Sequence, residues 1–101
     1  MESKTIFSTL ANDPEMIDLV ELFVSEIPEK IDTIEQLLAA EDWEQLQRIS
    51  HQLKGAAGGY GFDCLTPLAS RLESAARDRE LSTIQTSAES LLSDLRSVHM
   101  I

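Results

Sequence analysis

The sequence predicts an all-α fold, an antiparallel up-down four-helix bundle, and three observations predict it. Leu, Ile, Ala, Glu and Gln dominate the 101 residues, while glycines number 4 and prolines 3; such a composition favours helices. Apolar residues recur at steps of three and four along four separate stretches, the spacing of a helix with one buried stripe. The connections between stretches are short, so neighbouring helices should run antiparallel. A chain of this length makes one domain, residues 1–101, rather than two.

Residues 1–11 form a lead-in segment or a short extra helix. The first long helix follows Asn12-Asp13-Pro14-Glu15, a capping side chain with proline at the first helical position. Met16, Val20, Phe23, Ile27, Ile31, Ile34 and Leu38 then mark its seam. Pro28 lies inside that seam and removes a backbone donor. One long kinked helix is the first choice, and two helices broken near Ile27 the second. The second helix begins near Asp42-Trp43, carries Trp43, Leu46, Ile49, Ser50, Leu53 and Ala57 on one side, and runs out at Gly58-Gly59-Tyr60-Gly61. The third starts around Asp63 with the stripe Leu65, Leu68, Leu72 and Ala76; Pro67 falls in its first turn, where a missing N–H matters least. The fourth carries Leu81, Ile84, Ala88, Leu91, Leu95 and Val98.

Charge excludes some function classes. The net charge is −10, from 18 acidic and 8 basic residues, and such a surface repels phosphate backbones and anionic lipid heads. Neither nucleic acid nor a membrane is an expected partner. Cys64 is the single cysteine, so no disulfide forms within the chain; in an apolar stretch it reads as a small buried residue. The first residues lack the basic and apolar regions of a signal peptide, and no run approaches the ~20 apolar residues of a membrane span. A cytoplasmic protein is expected.

The chemistry lies in Ser50-His51-Gln52-Leu53-Lys54-Gly55-Ala56-Ala57-Gly58-Gly59-Tyr60-Gly61-Phe62. At ~100° per residue, with Trp43 set at zero, Leu46, Leu53 and Ala57 cluster near about 300° and His51 falls near about 80°. His51 therefore faces solvent. Gln47, Lys54, Gly55 and Gly58 lie within about 60° of it on the same wheel. A glycine inside a helix costs about 0.5–1 kcal/mol relative to alanine, and here Gly55 and Gly58 strip side-chain bulk from around one exposed imidazole. Arg48 and Lys54 each lie one turn from His51. Positive neighbours favour the neutral, nucleophilic ring and would stabilise a phosphoryl group once attached.

His51-Gln52-Leu53-Lys54-Gly55-Ala56-Ala57 followed by Gly61 resembles the phosphorylation-site motif of histidine-containing phosphotransfer domains, the carriers of bacterial multistep phosphorelays. The similarity continues through Phe23-Val24-Ser25-Glu26-Ile27-Pro28, Asp42-Trp43 and Leu68-Ala69-Ser70-Arg71-Leu72-Glu73. It implies a helical bundle whose exposed His51 accepts a phosphoryl group from a receiver-domain phosphoaspartate and passes it to another receiver aspartate. It further implies that Lys54 steadies the phosphoryl oxygens and that Gly55 leaves room for the receiver. Gln47, Arg48 and Gly58 are supporting or docking positions. The implied partners are response-regulator receiver domains and a hybrid sensor kinase. Magnesium is expected on the receiver, and no cofactor or metal on this chain. The family also has a proline at the place of Pro28.

Other readings are weaker. A receiver-binding module that is never phosphorylated does not account for His51. A dimeric helical phosphotransferase exposes its histidine on a two-helix hairpin completed by a second chain, whereas four striped helices in one chain predict a monomer. His99 reads as a solvated end residue and Trp43 as core. The acidic residues scatter without a His/Asp/Glu cluster, so metal binding is not expected. No phosphate-binding loop is present, so the chain is read as a phosphocarrier and not as an ATP-dependent kinase. Exposed apolar residues of the first helix, such as Ile17 or Leu22, are candidates for the docking surface.

Overall fold

The computed structural model describes residues 5–99; residues 1–4 and 100–101, including the start of the lead-in, lie outside the described residues. Four helices follow in chain order: α1 (Ile17–Ala40), α2 (Trp43–Gly59), α3 (Leu65–Asp78) and α4 (Leu81–Arg96). α1 packs on α2 and α4, and α3 packs on the same two. The four-helix bundle thus closes on itself.

α1 runs unbroken through Pro28, the single-helix alternative. Its start comes later than the Asn12-Asp13-Pro14-Glu15 signal. Asp13 caps a preceding turn instead: its side chain accepts from the Glu15 N–H at 2.9 Å, and its carbonyl accepts from Met16 and Ile17 at 3.0 and 2.9 Å. α2 begins as expected, with Asp42 as N-cap accepting from the Gln45 N–H at 3.2 Å. The α1–α2 and α3–α4 connections are the residue pairs Glu41-Asp42 and Arg79-Glu80. Each opens on a left-handed residue, Glu41 at φ 54° and Arg79 at φ 57°, which turns the chain back sharply.

The core takes the predicted seams. Val20, Phe23, Ile27 and Ile34 of α1 meet Leu46, Leu53 and Ala57 of α2, Leu65, Ala69, Leu72 and Ala76 of α3, and Ile84, Leu91 and Leu95 of α4. Phe62, 1% exposed, stacks on Phe23 with ring centroids 5.4 Å apart. This contact anchors the end of α2 against the start of α1.

The described part of the lead-in is a strap of turns, not a helix. Ile6 forms a parallel bridge with Val98, donating to the Ser97 carbonyl at 2.8 Å and accepting from the His99 N–H at 2.9 Å. Further along, the Thr9 N–H donates to the Gly61 carbonyl at 2.9 Å, and the Ser8 hydroxyl donates to the Tyr60 carbonyl at 2.6 Å. Val98 therefore lies past α4, held by the strap.

Two burial expectations are corrected. Cys64 is exposed, because it precedes α3 as a loop residue while Phe62 and Leu65 on either side take the core positions. Leu81, placed on the fourth stripe, is 61% exposed, because it is the first residue of α4 at the end of the bundle. No helix among the described residues is long and apolar enough to cross a membrane.

Candidate functional site

α2 presents its buried stripe inward through Leu46, Ser50, Leu53 and Ala57, and this alone sets the direction of His51. The imidazole is 67% exposed. Beside it runs a shallow groove of about 460 Å³ lined by Glu44, Gln47, Arg48, Gln52 and Glu73 together with His51. Gln47 and Arg48 thus border the histidine as expected.

The closest charge to the ring is an anion from another helix. Glu73 of α3 places Oε2 at 2.8 Å from His51 Nδ1 and Oε1 at 2.7 Å from Lys54 Nζ. One carboxylate spans both residues, and its side chain is 15% exposed. A His–Glu pair with a lysine is therefore present where the sequence showed only scattered acids. Helices α2 and α3 bring together residues 22 apart in the chain. The signal available in the sequence was position: Glu73 follows the core residue Leu72 and flanks the stripe of α3.

The electrostatics follow from that contact. The Lys54 ammonium holds the Glu73 carboxyl below the usual glutamate range; partial burial opposes the shift and His51 adds to it. An ionised carboxylate only accepts hydrogen bonds, so Nδ1 must carry the proton in the neutral ring. The lone pair then sits on Nε2, which makes no bond to any described residue. Lys54, expected on the phosphoryl oxygens, is paired with Glu73.

The lowered value has a stability consequence. A carboxyl with a depressed folded-state pKa contributes stability above its unfolded value, and this is lost as pH falls through the folded one. Urea unfolding followed from neutral pH down through about pH 4.3 should show wild type losing more stability than Glu73→Gln. Equal acid slopes would mean that the contact is absent in solution.

The glycines divide by environment. A Cβ on Gly55 or Gly59 would meet nothing within 4 Å, whereas one on Gly58 would lie 3.5 Å from Thr66 Oγ1 at the start of α3. Gly55 leaves open surface next to His51. Gly58 turns toward the α2–α3 junction, where the Thr66 hydroxyl donates to the Lys54 carbonyl at 3.4 Å. Among the described residues, no group of three or more His, Cys, Asp or Glu could hold a metal.

The model of the Hpt domain family matches residues 18–99, a span that includes all four helices apart from the first residue of α1. The phosphorelay protein LuxU of Vibrio cholerae serotype O1 is 31% identical over 81 residues, covering 80% of this chain and 72% of LuxU. No solved structure matches the chain. With an exposed histidine on the second helix of a closed bundle and a family match over most of its length, this chain belongs to the Hpt domain family.

Proposed function

We propose that the chain is a phosphorelay intermediate in which His51 takes a phosphoryl group from a receiver-domain phosphoaspartate and gives it to the aspartate of another receiver. The observation that carries this reading is the His51–Glu73 contact. It leaves Nε2 as the nucleophilic nitrogen on a ring that is two-thirds exposed. In the forward step the Nε2 lone pair attacks phosphorus, the acyl P–O bond breaks, and the receiver aspartate leaves as a carboxylate. Transfer onward reverses the same bonds.

This chain's part is to orient and expose the ring. The charge of phosphoryl transfer is neutralised by a metal, and the receiver is expected to bring magnesium, the aspartate and its own lysine. Lys54 would exchange Glu73 for the phosphoryl oxygens when the group arrives. The chain then needs no ATP site and acts as a carrier, with a hybrid sensor kinase supplying the phosphoryl group through its receiver. Four helices closing a bundle within one chain support a monomer, and sedimentation would test it.

Leu22, 57% exposed, and its neighbour Leu19, 44% exposed, offer apolar surface on α1 for the receiver. Ile17 is half-buried and contributes less.

The deciding experiment incubates the protein with a panel of phosphorylated receiver domains. Acid-labile, base-stable label is expected on wild type and none on His51→Gln. A folded wild type that binds receivers yet never takes label would replace the carrier with a docking module.

A further inference from the structure

Glu73 does more than aim the ring, because a carboxylate on Nδ1 also constrains the phosphorylated state. When Nε2 bonds to phosphorus, a neutral phosphoimidazole would have a bare lone pair on Nδ1. That lone pair would face Oε2, which lies 2.8 Å from Nδ1, and two acceptors repel. The arrangement is relieved if Nδ1 keeps its proton, making a phosphoimidazolium cation beside an anion.

We propose that Glu73 keeps the Nδ1 proton on phosphorylated His51, so that the domain holds its phosphoryl group as a short-lived, strongly donating phosphoimidazolium. This rests on the carrier reading of His51. In both directions of transfer the Nδ1 proton stays where it is. The Nε2–P bond forms as the acyl P–O bond breaks, or the reverse, and no general base is needed. A protonated ring leaves phosphorus as neutral imidazole, whereas an unprotonated one must leave as imidazolate, so the protonated form transfers and hydrolyses faster. Glu73 is a positioning residue in this scheme, acting on phosphorus only through the ring.

The other charged groups around His51 are few. From α2 they are Glu44, Arg48 and Lys54, and from α3 Glu73. α1, packed on α2, brings Glu26, Glu29 and Lys30 to a second groove that shares Gln52 with the first, and α4 lines neither. Glu44 and Arg48 are exposed and opposite in sign, so solvent screens both. Lys54 opposes the effect as a cation close to the ring, whether its ammonium rests on Glu73 or on the phosphoryl oxygens. Its removal should therefore strengthen proton retention.

The test avoids any receiver. The full chain carrying His99→Gln, so that label resides on His51 alone, is loaded with potassium phosphoramidate. The reagent's P–N bond breaks, ammonia leaves, and Nε2–P forms. Hydrolysis is followed by phosphorus NMR between about pH 6 and pH 9, where imidazoles titrate, and the Nδ1 proton by nitrogen-correlated NMR. Adding Glu73→Gln is expected to lengthen the phosphohistidine lifetime about fivefold at the alkaline end and to move proton loss to lower pH. Adding Lys54→Met instead should shorten the lifetime. Identical lifetimes and proton profiles in the first comparison overturn the proposal. Should Glu73→Gln fail to fold, an unchanged or longer lifetime in Lys54→Met overturns it. Failure of the carrier reading looks different: receivers leave His51 unlabelled while phosphoramidate still loads it.

Discussion

Replacing Gly61 with alanine is expected to remove about 3 kcal/mol of stability, the sum of left-handed backbone strain and a collision with the strap. Gly61 is held at φ +84°, a region where a Cβ clashes with its own backbone. The added atom would strike Ser8 Oγ and lie 2.9 Å from the Leu10 backbone nitrogen. Backbone cannot step aside as a side chain can. Relief would require lifting the strap off the α2–α3 loop, breaking the Thr9 to Gly61 and Ser8 to Tyr60 hydrogen bonds. Thermal melts should fall by about 15 °C, given the usual several degrees per kcal/mol for a domain of this size. A melt within a degree or two of wild type would show that the strap does not cross Gly61 in solution.

At Gly55 the expected effects on stability and on transfer separate. Space around this glycine is open, so Gly55→Ala should stabilise α2 by about 0.5–1 kcal/mol through helix propensity alone. Gly55→Trp should leave the fold standing for the same reason, yet place an indole one turn from His51. A receiver must bring its aspartate within bonding reach of Nε2, and a displacement of about 1 Å can slow such a step about a hundredfold. Transfer from a phosphorylated receiver, read as label per minute, should fall by about that factor, while unfolding in urea stays near wild type. Equal transfer rates would place the receiver on another face.

These contrasts show which parts of the molecule could be read from the chain. The direction of His51 was legible because it depends on one helix: Leu46, Ser50, Leu53 and Ala57 fix the inward face, and geometry does the rest. Glu73 was not, because its approach depends on the relative register of α2 and α3, which no periodicity within either helix contains. The cations one turn from His51 suggested a positively flanked ring; the fold turns Lys54 onto Glu73 and puts an anion against Nδ1 instead. The sharp links at Glu41 and Arg79 gave no glycine signal, since ordinary residues occupy the left-handed position. Leu81 and Cys64 were misread for different reasons. Stripe membership predicts burial only where a neighbouring element covers that end of the helix. An apolar stretch does not say that Cys64 falls just before α3 while Phe62 and Leu65 take the core positions.

The parallel bridge between Ile6 and Val98 has a mechanical consequence. Two parallel segments, one leading in and one leading out, slide past each other when pulled from outside. Tension applied across residues 5 and 99 would load the Ile6–Ser97 and His99–Ile6 hydrogen bonds together, in shear, rather than peeling them one after the other. The bundle behind them would carry no tension until both had broken.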